Sequence, residues 1–290
     1  MNIRYLFFKK QIESLQKFFE QKFGIVVKIG AELEFYLRGE EQAVIDVILE
    51  ELAKKCLRIE LEKGWQQYEG VFDYDMPPPI LAERMNEFKT LTQFIARRSG
   101  CQSSFEAKPY HEDYGSAMHL HLSLHNPTTG ENLFEDTQIT DNVLMGKALA
   151  GILEISPEAV YLLCRKQNDF QRFVSNYMAP THISWGGNNR TTILRIPDAQ
   201  PHFKRIEFRL PPSSADPATA IFVLLVGLLH GLSQQLKLPE RIHGNAFDNQ
   251  YDLPPLPKTI KDSQNIFEKG GIINYYMKKI SPHLVPDFTL

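Results

Sequence analysis

The chain has 290 residues, of which 43% are hydrophobic and 23% are charged, a composition typical of soluble globular proteins. Its formal net charge of −3 provides no basic surface for nucleic acid, so DNA and RNA are poor first candidates as partners. The three cysteines are far apart and show no CxxC spacing, which indicates neither a disulfide framework nor a zinc ribbon and predicts a cytoplasmic protein.

The sequence contains no recognisable export or membrane signal. The N-terminal residues lack an apolar segment of signal-peptide length, so we expect a protein that is not exported. The most apolar run, Ala218 to Leu229, is too short for a membrane span and predicts a buried helix.

Helical and alternating patterns follow one another through the first hundred residues. Gly24 stands where a helix C-cap is expected, and the MPPP segment separates an acidic strand from a long helix. The periodicities predict helices over residues 12–23, 43–55 and 80–98, and strands over residues 25–37, 57–62 and 68–74.

The second part of the chain continues this mixture. We expect a strand over 116–125, a helix capped by Asp141, a short helix after Pro157 and strands within 191–210. Asp216 and the following proline predict the start of the buried helix, and one last helix follows the proline-rich residues 251–258. Residues 1–290 are thus predicted to form one α+β domain, in which helices cover a largely antiparallel, curved sheet.

Five predicted strands carry acidic or imidazole groups on their polar faces. These groups are Glu32 and Glu34, Glu62, Glu69, His119 and His121, and Glu207. If the faces line one surface, their carboxylates repel one another unless cations lie between them. Oxygen-rich ligation with little imidazole favours Mg²⁺ or Mn²⁺ over zinc or copper.

Each of these signals taken alone has a simpler explanation. Alternating glutamates on a strand usually form a solvated face, and an HxH pair also occurs on ordinary exposed strands. The arginines around Glu207 either form structural ion pairs or neutralise phosphate oxygens. They are Arg190, Arg195, Arg205 and Arg209.

Four longer motifs together resemble the signatures of the glutamine synthetase family, in their order and spacing. They read AELEFYL, YGSAMHLHLSL, NYMAPTHISWGGNNR and KRIEFRLPPSSADP, and the resemblance runs from about Gly24 to about Lys258. It implies a catalytic domain of the glutamine synthetase/guanido kinase type, two or three Mg²⁺ or Mn²⁺ ions, and ATP as a substrate.

The resemblance also implies a role for individual side chains. The ligands of one ion are Glu34, Glu62 and Glu69, and those of the ion nearest the ATP phosphates are Glu32, His119 and Glu207. The implied catalytic residues are Arg190 and Arg205, which hold the transferring phosphoryl group, and Arg172. The residues implied to bind the carboxylate substrate are Arg172, Arg209 and Gly115. The implied nucleotide contacts are Tyr74, His121, Ser123 and Arg205.

The chemistry implied by the family has two steps. A carboxylate attacks the γ-phosphoryl group of ATP, and an amine then displaces phosphate from the acyl phosphate. Such a transfer depends mainly on positioning and on neutralising charge over the phosphoryl oxygens.

Several positions depart from the family pattern, mainly where ammonia is handled. Met178 replaces the glutamate of the YEAP flap motif, and a thioether cannot accept a proton from ammonium. Tyr114 replaces an asparagine, Gln66 replaces a glycine, and the interval between Glu34 and Glu62 is short. We also expect the N-terminal β-grasp domain of the family to be missing.

Three hypotheses follow from these departures. The chain is a ligase that uses a larger amine or another carboxylate, or a weak or inactive relative that binds nucleotide or amino acid and regulates another protein. Alternatively, a separately encoded subunit supplies the missing domain and restores glutamine synthesis. A monomer or dimer is expected, with one edge of the site open to solvent or to a partner subunit.

Overall fold

The computed structural model describes residues 3–135, 142–173 and 178–280. Within these ranges the strands are β1 Val26–Arg38, β2 Arg58–Leu61, β3 Gln67–Phe72, β4 Gln102–Ser104, β5 Met118–His125, β6 Trp185–Gly186, β7 Leu194–Arg195 and β8 Ile206–Phe208. The helices are α1 Ile3–Phe23, α2 Gln42–Ala53, α3 Pro78–Arg98, α4 Val143–Leu163, α5 Gln167–Phe170, α6 Pro217–Ser233, α7 Ile260–Gly270 and α8 Ile272–Ile280.

The eight strands of the described chain form one mixed sheet. Their order is β2-β3-β1-β5-β8-β7-β6, and β4 pairs with the end of β1. The parallel contact joins β6 to β7, and the other pairings are antiparallel. The predicted α+β architecture with a largely antiparallel sheet is therefore confirmed.

The pairing register explains how residues distant in sequence meet on one face. Glu34 on β1 is directly opposite Glu69 on β3, and Glu32 is directly opposite His119 on β5. Across the next pair, His121 is opposite Glu207 on β8. Because directly opposed residues of an antiparallel pair project to the same side, this register gathers the polar groups over the middle of the sheet.

The other face of the sheet belongs to the hydrophobic core. Leu33 and Phe35 of β1 are fully buried, as the alternation of that strand predicts. Helices α1 and α3 contact β1, and α6 packs against α1, α3 and α4. Helix α6 starts where predicted, since the Asp216 side chain accepts a hydrogen bond from the Thr219 amide at 2.8 Å.

Helices α4 and α6 cross with almost no space between their backbones. A Cβ atom on Gly231 would lie 1.9 Å from the Lys147 carbonyl oxygen, and one on Gly151 would lie 2.3 Å from the Gly227 carbonyl oxygen. This crossing therefore requires residues without side chains at the contact.

Four predicted helix boundaries are wrong, and three of them have a local reason. Helix α1 begins at Ile3 rather than near residue 12. Helix α3 begins at Pro78 rather than at Ile80, because proline at the first helical positions needs no backbone donor. Helix α4 continues through Pro157, where a second helix was expected, because its burial against α6 offsets the missing hydrogen bond. The last predicted helix is two helices, interrupted at Gly271 with φ of +81°.

Two further details differ from the sequence-based expectations. The Asn142 side chain caps α4 by accepting from the Met145 amide at 2.8 Å, whereas Asp141, the expected cap, lies outside the described residues. Most of residues 191–210 are irregular, with only the short β7 and β8 and a 3-10 turn over Pro201–Phe203. Among the residues that are described, no helix has the length and apolar character needed to cross a bilayer.

Candidate active site

A cavity of about 240 Å³ opens on the polar face of the sheet. The predicted metal ligands that line it are Glu32, Glu34, Glu62, Glu69, His119 and Glu207. The predicted substrate and phosphoryl contacts that line it are Arg172, Arg190, Arg205, Arg209 and Gly115. The structure therefore brings into one cavity all the residues that the sequence assigns to metal, carboxylate and phosphoryl group.

One half of this cavity holds carboxylates that no cation of the protein balances fully. Glu34, Glu62 and Glu69 each offer an oxygen within 4.8 Å of the others. Burial and the charges of Glu32, Glu34 and Glu62 raise the pKa of Glu69 to about 10. Burial and Glu62 raise the pKa of Glu34 to about 7. Clustered oxygen donors of this kind fit a hard divalent cation such as Mg²⁺ or Mn²⁺.

The other half of the cavity pairs its carboxylates with basic groups. Glu207 is fully buried, and its two oxygens accept hydrogen bonds from Arg209 Nη1 at 2.5 Å and Arg195 Nη1 at 2.6 Å. Although burial raises the pKa of Glu207, the charges of Arg209 and the nearby histidines outweigh it and lower that pKa to about 2. A solvated face is thus excluded for this residue.

The two histidines of β5 lie between Glu32 and Glu207. His119 Nδ1 is 3.4 Å from Glu32 Oε2 and 3.6 Å from Glu207 Oε1, the other two members of the second predicted ligand trio. The sets around Glu32 whose ligand atoms all lie within 4.8 Å of one another are different: Glu32, Glu69 and His119, and Glu32, His121 and Glu207. Burial and Arg209 lower the pKa of His119 to about 4, which leaves a neutral imidazole at pH 7 that can ligate a metal. His121 Nε2 lies 3.0 Å from Glu32 Oε1, so His121 is also within reach of this trio.

The predicted substrate arginine is held rigidly in the cavity wall. Arg172 is buried and donates to the carbonyl oxygens of Arg209 and Leu210 at 2.9 and 3.1 Å. Gly115 packs directly against it, since a Cβ there would lie 2.9 Å from Arg172 Cγ and 2.8 Å from the Ala107 carbonyl oxygen. The close approach explains why glycine is needed at this position.

A second cavity of about 340 Å³ adjoins the first at Glu32 and Arg205. Its lining includes all four predicted nucleotide contacts, which are Tyr74, His121, Ser123 and Arg205. Arg205 Nε donates to His121 Nδ1 at 3.1 Å and so connects the two cavities. The structure therefore places an enclosed space beside the carboxylates where the sequence predicts ATP.

The loop around Met178 borders the cavity of about 240 Å³, which we call the reaction cavity. Met178 has φ of +58° and a side chain that is 43% exposed, and its carbonyl oxygen accepts from Arg209 Nη2 at 3.3 Å. Tyr177, the preceding residue of the predicted flap motif, lies outside the described residues. The site thus carries a thioether at the position where the family pattern has a carboxylate.

Gln66 has a left-handed backbone conformation, which glycine adopts more readily than other residues. Its φ is +56°, and its side-chain amide bonds to both the nitrogen and the oxygen of Gly39, at 3.3 and 3.2 Å. These two bonds stabilise a left-handed conformation that a side chain normally disfavours.

Sequence reasoning missed several residues of the cavity wall. They are Glu60, Lys63 and Gln67. Glu60 shares a strand face with Glu62, a spacing that could have identified it. Gln67 donates to the Gly115 carbonyl oxygen and accepts from the Gly64 amide, both at 2.9 Å, and no sequence motif indicates this bridge.

Comparison with known proteins identifies related sequences and structures. Residues 45–288 match the glutamine synthetase catalytic domain. Gamma-glutamylputrescine synthetase of Escherichia coli is 37% identical over 180 residues, which are 62% of this chain and 37% of that protein. Gamma-glutamylethanolamide synthetase of Streptomyces coelicolor is 32% identical over 237 residues, which are 81% of this chain and 50% of that protein. The chain thus spans half or less of the length of these two relatives.

The fold also matches solved structures. A GmaS/ADP complex superimposes with a TM-score of 0.82 at 22% identity, over 94% of this chain and 70% of that one. GmaS without ligand gives a TM-score of 0.81 at the same identity and coverage. These matches confirm the predicted fold. The family match covers most of the chain and includes four of the six predicted metal ligands. It confirms the predicted relationship. The chain therefore belongs to the glutamine synthetase family.

Proposed function

We propose that this chain is the catalytic domain of an ATP- and divalent-cation-dependent ligase that joins glutamate, or a related carboxylate, to an amine other than ammonia. The observation that carries the proposal is one cavity that combines unbalanced carboxylates with buried and exposed arginines. A neighbouring cavity provides room for a nucleotide. Phosphoryl transfer needs this combination of positioning and charge neutralisation.

The metal ions of the proposed reaction are held by the two groups of acidic and imidazole side chains. Glu34, Glu62 and Glu69 bind the ion on the amino-acid side, and Glu32, His119 and Glu207 bind the ion near the nucleotide. Bound Mg²⁺ or Mn²⁺ neutralises charge on the phosphate oxygens and orients the reacting groups. The raised pKa of Glu69 supports this assignment, since adjacent buried carboxylates must either take up protons or bind a cation.

In this proposal the arginines bind the phosphoryl group and the carboxylate substrate. Arg190 and Arg205 bind the transferring phosphoryl group, because guanidinium groups match phosphate geometry and keep their charge. Arg172 and Arg209 bind the carboxylates of the substrate, and Gly115 leaves space for its amino end. Tyr74, His121 and Ser123 contact the nucleotide. Burial fixes Arg172 before the substrate arrives, which lowers the cost of ordering it.

The choice of amine rests on Met178 and on the relatives. A thioether at this position cannot deprotonate ammonium, so an acceptor must arrive neutral or be deprotonated by another group. Two of the relatives are named for putrescine and ethanolamine, both of which are larger amines. The names of these relatives favour an alkylamine as the acceptor, and a group other than Met178 must then take its proton.

The assembly of the complete enzyme is part of the proposal. Residues 1–290 act as a single catalytic domain in the cytoplasm, and a second copy of the chain or a partner subunit completes the open side of the cavity. Exposed apolar residues beside the cavity, Leu61 and Trp65, support such a contact.

A turnover assay tests the proposal. Phosphate release from ATP is measured with Mn²⁺ or Mg²⁺ and glutamate, across ammonium, putrescine, ethanolamine and methylamine, with Glu62→Ala as the inactive control. We expect one alkylamine to stimulate release at least tenfold more than ammonium does. Binding of ATP and metal without turnover for any amine would instead identify a regulatory protein.

The Met178→Glu variant tests the explanation for the choice of amine. Restoring a carboxylate near the acceptor should produce ammonium-dependent phosphate release, because a base is again available. Met178→Gln, which is similar in size but cannot take up the proton, is the matched control. Equal ammonium activity in both variants would show that Met178 does not determine the acceptor.

A further inference from the structure

A third cavity, open and of about 1000 Å³, lies beside the reaction cavity. Met178 and Arg190 line both spaces, so a small molecule leaving the reaction cavity on this side enters the open one. None of the proposed metal ligands lines this third cavity, which we call the outer cavity.

Two loops that are hydrogen-bonded to each other form the outer cavity. The Ile242 amide donates to the Trp185 carbonyl oxygen at 3.0 Å, and the Asn189 side chain donates to the Gly244 carbonyl oxygen at 2.7 Å. The Ala246 amide donates to Thr191 Oγ1 at 2.9 Å. These bonds fix the loop of residues 241–248 against the loop that carries Arg190.

Arg241 lines this cavity, and one of its donor groups is unused. Its Nε is buried and has no hydrogen-bond partner among the described residues, a situation that is costly for a cationic group. The guanidinium packs against Gly187, where a Cβ atom would lie 1.9 Å from Arg241 Nη2. The glycine therefore makes room for this arginine.

The charge of the outer cavity is suited to an anion. Arg190 and Arg241 both line it, and Asp248 is the one carboxylate among its described lining residues. Arg190 is exposed and makes no ion pair within the described part of the chain. Each guanidinium presents a planar fork of donors that suits the oxygens of a tetrahedral oxyanion.

We propose that Arg241 and Arg190 form an oxyanion subsite, and that inorganic phosphate is its ligand. The proposal rests on the proposed function only for the source of the phosphate, because the ligase reaction releases phosphate next to Arg190. Arg241 then receives the phosphate after Arg190 and draws it out of the reaction cavity. Binding itself requires neither metal nor nucleotide.

Calorimetric titration of inorganic phosphate into metal-free, nucleotide-free protein at constant ionic strength tests this subsite. We expect Arg241→Gln to weaken phosphate binding about tenfold or more, as loss of a charge-assisted hydrogen bond does. Arg97→Gln, which removes an exposed arginine at the end of α3, should leave binding unchanged. Acetate in place of phosphate distinguishes a tetrahedral oxyanion from a carboxylate, and should bind at least tenfold more weakly.

A second variant keeps the test valid if Arg241→Gln does not fold. Gly187→Ala retains every charge but displaces the guanidinium, so it should also weaken phosphate binding. The subsite is disproved if wild-type protein does not bind phosphate at millimolar concentration, or if both variants bind it as tightly as wild type. Phosphate binding without ATP turnover would refute the proposed function and leave the subsite intact.

Discussion

The two halves of the reaction cavity differ in how their negative charges are balanced. On one side Glu207 is fully buried and is neutralised by Arg195 and Arg209. On the other side Glu34, Glu62 and Glu69 share a small volume, and burial together with the neighbouring carboxylates raises the pKa of Glu34 and Glu69. The comparison teaches that Glu207 has its counter-charges within the fold, whereas the clustered carboxylates need protons or a cation.

The largest expected effect on stability comes from removing the charge of Glu207. Glu207→Gln removes the buried negative charge that pairs with both Arg195 and Arg209, which should lower the free energy of unfolding by about 3–5 kcal/mol. Urea denaturation of the metal-free protein measures this decrease in the free energy of unfolding. Glu60→Gln is the matched control, because Glu60 lines the same cavity but is half exposed. Equal stabilities for the two variants would mean that the pairing of Glu207 contributes little.

The carboxylate half should respond most to added metal. At 100 times its Kd, Mn²⁺ should raise the free energy of unfolding by about 2.7 kcal/mol, since a ligand of the folded state stabilises by mass action. Glu62→Ala should remove most of this gain, because the variant lacks one of the three clustered carboxylates. Thermal unfolding with and without Mn²⁺ measures the stabilisation of the wild-type protein and of the Glu62→Ala variant. A Glu62→Ala variant that keeps the full Mn²⁺ effect would place the ion elsewhere.

A smaller effect is expected in the pH dependence of the metal-free protein. The pKa of Glu34 is about 7 in the folded state against 4.5 for an ordinary glutamate, and that of Glu69 is about 10. The folded protein therefore binds more protons than the unfolded chain between pH 6.5 and 8. Its free energy of unfolding falls as the pH rises over this interval, by up to about 1.4 kcal/mol per pH unit for each extra proton. Below pH 6.5 the lowered pKa of His119 acts in the opposite direction.

The Glu69→Gln variant sharpens this pH prediction. With one repelling carboxyl removed, the decrease between pH 6.5 and 8 should become shallower, while Glu40→Gln, an exposed glutamate outside the cavity, should behave as wild type. Saturating Mn²⁺ should remove the decrease, because metal binding requires deprotonated carboxylates. A free energy of unfolding that rises over this interval in metal-free wild-type protein would contradict the raised pKa values of Glu34 and Glu69.

The sequence predicted most of the acidic and imidazole groups of the cavity well, because they lie on regular strands. The alternation of β1 and β5 places Glu32, Glu34 and His119 on one face, and antiparallel pairing then aligns them. The outer cavity could not be predicted, since residues 185–191 and 241–248 have no periodicity and meet through long-range hydrogen bonds. The same limit applies to α4, where burial against α6 overrides the proline signal.

Arg209 links the buried Glu207 to the backbone at Met178. Its guanidinium donates to Glu207 and to the carbonyl oxygen of Met178. A shift of the Glu207 side chain therefore moves a donor that also holds the Met178 backbone. The centre of the sheet and the rim of the cavity are coupled through this one side chain.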